Sequence, residues 1–145
     1  MEATTGIPAV GSVSGTASFA LTDAVVDEFL AGMEMDDPIF QPGGLEPGRR
    51  LAPSHLPPKL ALYPLYGDFI EKHFNGAIFA KQMFVFHAPV WAGTTVVAQA
   101  RLIELYERRG KNFAVFEGRF SNEDGELLVV ERRTVMPINQ NAKPE

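Results

Sequence analysis

Several kinds of protein are excluded by what the sequence lacks. It has no cysteine, which excludes disulfides, cysteine-type zinc sites, iron–sulfur clusters and a thiol nucleophile. It has no basic excess, since 13 Lys and Arg stand against 18 Asp and Glu. A general nucleic-acid-binding surface is therefore not expected. It also has no uninterrupted apolar window long enough for a membrane span, because Pro89 and Gly93 break the best one, Gln82 to Ala100.

Signals for export, metals and cofactors are missing as well. The first residues lack the basic segment and apolar core of a secretory signal, and together with the missing cysteines this predicts a cytoplasmic protein. The three histidines, His55, His73 and His87, show no metal-ligand spacing, so no metal site is predicted. No Gly-rich phosphate loop or Gly-x-Ser-x-Gly elbow is present, so we expect no cofactor.

The composition that remains is that of one folded domain. Apolar residues make up 46% of the 145 residues, enough for a core. We predict a flexible leader over 1–14, one domain over 15–137 and a flexible tail over 138–145. The 11 phenylalanines indicate a Phe-rich core or an apolar pocket.

The order of the predicted elements indicates an α+β fold. A short strand at 15–21 precedes a helix that Thr22 caps, with apolar residues at spacings of three and four. A loop rich in Pro and Gly follows over 36–58, and Pro57-Pro58 opens a second helix. Four antiparallel strands are then predicted, at 78–88, 94–107, 111–121 and 126–136. A sheet with one apolar face needs a helix to cover it, and its edge strands favour pairing across a dimer axis.

One stretch narrows the fold further. The run from Phe79 to Val96, which contains His87-Ala88-Pro89-Val90 and Gly93-Thr94-Thr95, resembles MaoC-like (R)-specific enoyl-CoA hydratases and dehydratases. The likeness extends from about Ser18 to Met136 and is closest to the degenerate N-terminal repeat of double-repeat members. It implies a hot-dog fold, an antiparallel sheet wrapped around a central helix. It also implies an acyl-CoA or other acyl thioester as substrate, and a homodimer or a heterodimer with a second hot-dog chain.

The same resemblance implies that the catalytic pair is missing. Active members carry Asp-x-Asn-Pro-x-His after the first helix, where the Asp and His activate a water molecule. The best match here is Met35-Asp36-Asp37-Pro38-Ile39-Phe40. Aligned on Pro38, Met35 takes the Asp position and Phe40 the His position. Since neither side chain transfers a proton, we expect the chain to act with a partner subunit, and a second hot-dog unit to come from another chain.

Other residues stay open as candidates for the site. Asp36 and Asp37 are either a relocated acid–base pair or a solvated turn before Pro38. His55, at the start of the second helix, either reaches a substrate carbonyl or is a surface or capping residue. For the acyl-binding surface we predict the residues of the segment that enters the helix and three phenylalanines: Ala52, Pro53, Ser54, Phe40, Phe84 and Phe86.

Two alternatives belong to other functional classes. Asp68 and Glu71 lie one helical turn apart, and hot-dog thioesterases carry a carboxylate on this helix as nucleophile or base. The same two residues also fit an exposed acidic face. The other alternative is a non-catalytic subunit that only binds an acyl thioester.

Overall fold

The computed structural model describes residues 8–67, 69 and 77–138. Its elements, in chain order, are β1 (Ala17–Ala20), α1 (Asp23–Gly32), a 3₁₀ turn (Pro38–Phe40), β2 (Leu51–Ala52), α2 (Leu56–Leu60), a π-helical turn (Leu62–Gly67), β3 (Ala77–Phe86), β4 (Val90–Trp91), β5 (Thr95–Arg108), β6 (Lys111–Asn122) and β7 (Leu127–Pro137). The predicted order of strand, helix, loop, helix and four antiparallel strands is confirmed; β5, β6 and β7 form a meander, and β3 pairs with β7 at its end. One difference is β4, which lies inside the predicted 89–93 turn because its two residues pair with β2.

Five strands form one antiparallel sheet in the order β1-β5-β6-β7-β3. The tight β5–β6 turn needs two residues with left-handed backbone, Arg109 at φ 52° and Gly110 at φ 75°. Alternation along β5 and β6 sends one set of side chains into the core, as predicted: Val96, Ala98, Ala100, Leu102, Ala114, Phe116 and Phe120 are all buried. The sheet thus has one apolar face that the helices cover.

The helical segments lie against that face. The Thr22 hydroxyl accepts a hydrogen bond from the Val25 amide at 3.2 Å and caps α1, as predicted, while Val26 and Leu30 are buried. In α2, Leu56 is fully buried, and Tyr66 of the π-helical turn is 1% exposed. These residues share one apolar cluster with β5 and β6, which places the start of α2 over the centre of the sheet. No helix within the described residues has the length and hydropathy needed to cross a bilayer.

Part of the predicted leader follows the sheet. The Ser14 amide donates to the Ala100 carbonyl at 2.8 Å, and the Leu102 amide donates to the Ser12 carbonyl at 2.9 Å. These bonds extend the β1 edge along β5, so the described end of the 1–14 segment is paired backbone rather than a free leader. Residues 1–7 and 139–145 lie outside the described residues.

A glycine in β6 marks the tightest contact in the core. A Cβ on Gly118 would overlap the Tyr66 hydroxyl and lie 3.0 Å from the Phe120 ring. We expect Gly118→Ala to destabilise the protein by about 1–3 kcal/mol, the usual cost of overpacking. Tyr66→Phe should recover most of that loss and should be nearly neutral alone, because the Tyr66 hydroxyl has no hydrogen-bond partner in the described part of the chain. Urea unfolding of the two single variants and the double variant checks this. Equal destabilisation in both backgrounds would show that the Tyr66 contact is not the cause.

Candidate functional site

The loop after α1 carries two exposed carboxylates. Asp36 and Asp37 are both exposed. The Asp37 carboxylate accepts a hydrogen bond from the Ile39 amide at 3.0 Å and so caps the 3₁₀ turn. Asp37 therefore already has a local backbone partner, in the manner of an Asx turn before a proline. Asp36 has no hydrogen bond among the described residues.

The two residues aligned with the family's catalytic pair pack inward, in contrast to the exposed Asp36 and Asp37. Met35 and Phe40 are half-buried and pack against the apolar core. The Phe40 carbonyl accepts a hydrogen bond from Arg50 Nε at 2.8 Å. The loop thus holds two apolar side chains at the positions that the alignment on Pro38 predicts to match the motif's Asp and His.

A buried arginine fixes this loop to α1. Arg50, with 6% of its side chain exposed, forms ion pairs with Asp27 at 2.6 Å and Asp23 at 3.2 Å. Burial alone would lower the pKa of Arg50, but the hydrogen bonds to Asp27 and Asp23 raise it overall. Since the same guanidinium also holds the Phe40 carbonyl, the loop and the first helix are joined through one side chain.

Two of the predicted site residues meet at a pocket beside α2. His55 is half-buried, and its ring packs edge-to-face on Phe29 with the ring centroids 5.1 Å apart. It makes no side-chain cap to α2. His55 and Phe84 line a pocket of about 290 Å³ whose other walls are Lys59, Leu62, Phe79, Gln82 and Arg133. We call this the acyl pocket, after the predicted acyl-binding surface to which Phe84 belongs.

The remaining predicted residues lie elsewhere. Phe86 stacks on Phe84 with the centroids 5.7 Å apart and is 53% exposed. Ala52 and Pro53 are buried and Ser54 is half-buried, and none of the three lines the acyl pocket. Ala52 instead pairs with Val90 in the β2–β4 ribbon. Asp68 and Glu71 lie outside the described residues.

Behind the acyl pocket lies a buried polar cluster that we did not predict. Glu131 of β7 is fully buried, and both of its carboxylate oxygens accept hydrogen bonds from Arg133 Nη2, at 3.2 and 3.1 Å. The Gln82 side-chain amide donates to Glu131 Oε2 at 2.5 Å. The Arg133 guanidinium packs against two rings, 4.4 Å from the centroid of Tyr66 and 5.0 Å from that of Phe79. The sequence contained one indication that Glu131 and Arg133 face the core. They lie at every second position between Val129 and Val135, and residues two apart on a strand share a face.

Two polar atoms of this cluster are unsatisfied. The Tyr66 hydroxyl and Arg133 Nε are buried and have no hydrogen-bond partner among the described residues. Burial and then the negative charge of Glu131 raise the pKa of Tyr66, so its hydroxyl stays protonated. A buried donor without an acceptor lowers the free energy of unfolding. Arg133 lacks an acceptor for its Nε among the described residues.

The free edge of β3 is apolar. Among the described strands, β3 pairs only with β7 and ends the sheet. Its exposed apolar residues are 40–53% accessible: Ile78, Phe79, Met83, Val85 and Phe86. An edge with both unpaired backbone and exposed apolar side chains favours pairing with another chain. We call it the β3 edge. No group of three or more His, Asp or Glu residues in the described part of the chain is arranged to hold a metal ion.

Comparisons with known proteins identify similar sequences and similar folds. No family model matches the sequence. The mitochondrial 3-hydroxyacyl-(acyl-carrier-protein) dehydratase FERN of Solanum lycopersicum is 27% identical over 81 residues, which are 56% of this chain and 49% of that protein. The chain thus spans about half the length of the curated relative that it matches.

Solved structures of hydratases and dehydratases share the fold of this chain. The C-terminally truncated HadBC complex of Mycobacterium tuberculosis, a 3R-hydroxyacyl-ACP dehydratase, matches with a TM-score of 0.76 and 28% identity over 88% of this chain and 96% of that one. The (R)-hydratase of A. caviae involved in PHA biosynthesis has the same fold, with a TM-score of 0.69 and 23% identity over 88% of this chain and 95% of that one. The chain has the hot-dog fold of the MaoC-like hydratases and dehydratases, and the predicted α+β hot-dog fold is confirmed.

Proposed function

We propose that the chain is the acyl-thioester-binding subunit of a heteromeric MaoC-like hydratase or dehydratase, and that a second hot-dog chain supplies the catalytic Asp and His. The observation that carries the proposal is the loop after α1, where Met35 and Phe40 occupy the motif positions and pack against the core. Hydration of an enoyl thioester needs a base for water and an acid for the α-carbon. Neither of these side chains provides one.

The neighbouring carboxylates are poor substitutes. A general base must reach a water molecule that is held against the substrate, usually where bulk solvent is excluded. Asp36 and Asp37 are both exposed, and Asp37 is bonded to the Ile39 amide. Neither residue lines the acyl pocket. Their positions fit a solvated turn better than a relocated acid–base pair.

The β3 edge supports the partner. A second hot-dog chain that pairs with β3 would satisfy the open backbone and cover Phe79 and Phe86, which are 49% and 53% exposed. The HadBC structure, which is 28% identical to this chain, is itself a complex. A homodimer would cover the same edge but would bring no acid–base pair. The thioesterase alternative rests on Asp68 and Glu71, and nothing in the described part of the chain favours it.

An activity assay tests the proposal. The purified chain alone should not hydrate crotonyl-CoA above the buffer rate. Addition of a hot-dog chain with an intact Asp-x-Asn-Pro-x-His motif, taken from a neighbouring gene, should give turnover. Crotonyl-CoA should also raise the melting temperature of the chain or of the complex, because a ligand that binds only the folded state stabilises it. Turnover by the chain alone that is lost in Asp36→Asn would contradict the proposal.

A further inference from the structure

The walls of the acyl pocket combine apolar surface with hydrogen-bond donors. Leu62, Phe79 and Phe84 are apolar, while Lys59, His55 and Arg133 offer donors. No Asp or Glu is among its described lining residues. We infer that this pocket binds an acyl group that ends in a carboxylate, that is, the monothioester of a short dicarboxylic acid. The inference rests on the proposed function for the thioester and adds the chemistry of the far end of the acyl chain.

Arg133 is the residue that calls for an anionic acceptor. It is 6% exposed, and its only hydrogen bonds within the described residues run from Nη2 to Glu131. Nε is buried without a partner, and Nη1 also makes no hydrogen bond to the described residues. A carboxylate matches the planar edge of a guanidinium. Contacts with the rings of Tyr66 and Phe79 restrict the movement of the guanidinium.

The charge balance makes Lys59 part of the site. Glu131 is fully buried and neutralises Arg133, so Arg133 alone gives little net attraction for an anion. Lys59 is exposed, lines the same pocket and makes no ion pair with the described residues. With Lys59, the pocket lining carries one net positive charge, which a single carboxylate would neutralise.

The size and walls of the pocket limit the rest of the ligand. Its volume of about 290 Å³ is at the small end of the range for small-molecule sites. The apolar side chains that line the pocket favour binding of a methylene chain over a sugar or a nucleotide. A short aliphatic chain with a terminal carboxylate fits both features.

A binding comparison tests the inference on the full chain, alone and with its catalytic partner. Calorimetry is run with adipoyl-CoA, with the methyl ester of adipoyl-CoA, with hexanoyl-CoA and with free CoA. Adipoyl-CoA should bind about tenfold more tightly than its methyl ester or hexanoyl-CoA, the size expected for a charge-assisted hydrogen bond. Lys59→Met, at an exposed position where folding should be unaffected, should reduce this preference to about twofold or less. Arg133→Lys, which keeps the charge opposite Glu131, should also reduce it.

The other outcomes separate the explanations. Equal binding of adipoyl-CoA and hexanoyl-CoA overturns the inference and leaves the proposed function standing. Binding of free CoA as tight as that of the thioesters, weakened equally by Lys59→Met, overturns it by assigning these cations to the CoA phosphates. If a carboxylate of the partner subunit fills the site, the preference will be present in the chain alone and absent in the complex, which also overturns it for the enzyme. If no thioester binds, the proposed function fails as well.

Discussion

Two glutamates on the outer face of β3 should separate the chain from its partner without unfolding it. Met83 and Val85 are 40% and 41% exposed and lie two residues apart, on the face of the strand away from the acyl pocket. In the free chain a glutamate at position 83 would lie opposite Arg132 of β7, where it is well tolerated. In a complex, both charges would lose water as the β3 edge pairs.

The expected effect is large. Burying an unpaired charge costs several kcal/mol, so Met83→Glu/Val85→Glu should weaken assembly by about 100-fold or more. Sedimentation of the chain, alone and mixed with the catalytic chain, measures this, and circular dichroism checks the fold. Val10→Glu/Leu45→Glu is the matched control, because those apolar residues are 56% and 54% exposed and lie away from β3. Equal loss of assembly in both variants, or in neither, would show that β3 is not the interface.

Glu131→Leu should be among the most destabilising substitutions in the chain. It leaves the Arg133 guanidinium, 6% exposed, without its counterion and leaves the Gln82 amide without its acceptor. Breaking a buried ion pair in this way costs about 3–5 kcal/mol. Urea unfolding should show that loss in the free energy of unfolding.

A second substitution identifies the cause. Glu131→Leu/Arg133→Met should recover most of the stability, since an apolar pair in place of a buried ion pair is often neutral or better. Glu117→Leu is the control, because its partners Arg119 and Arg132 are 60% and 51% exposed. That change should cost about 1 kcal/mol or less. Arg133→Met is measured alone as well. A double variant whose loss of stability equals the sum of the losses of Glu131→Leu and Arg133→Met would mean that the ion pair is not the cause.

Local sequence rules were sufficient for most of the sheet and for α1. Alternating apolar residues predicted β5 and β6 to within about two residues, the usual precision of element ends, and Thr22 marked the start of α1 because its hydroxyl caps the helix. These features depend on neighbours in sequence. The turns at 108–110 and 122–125 carried glycines with positive φ at 110 and 125.

The parts that sequence could not predict depend on distant contacts. The burial of Glu131 and Arg133 was not predicted, because charged side chains are rarely buried unless paired, and their partners here are a glutamine on β3 and a tyrosine after α2. The backbone pairing of residues 12–14 with β5 depends on a strand almost ninety positions away. In the candidate site, His55 and Phe84 were predicted from the sequence. Lys59, Gln82 and Arg133 were not, because they reach the same pocket only through the packing of α2, β3 and β7.

The central claim, that another chain supplies the catalytic acid and base, is tested most directly by hydration of crotonyl-CoA by the assembled complex. Asp36→Asn/Asp37→Asn in this chain should change turnover by less than about twofold, since neither residue transfers a proton to the substrate. Substitution of the motif Asp in the partner by Asn should reduce turnover by about 100-fold or more. A large loss from the Asp36/Asp37 variant, with the complex still assembled, would place the catalytic carboxylate in this chain and contradict the account.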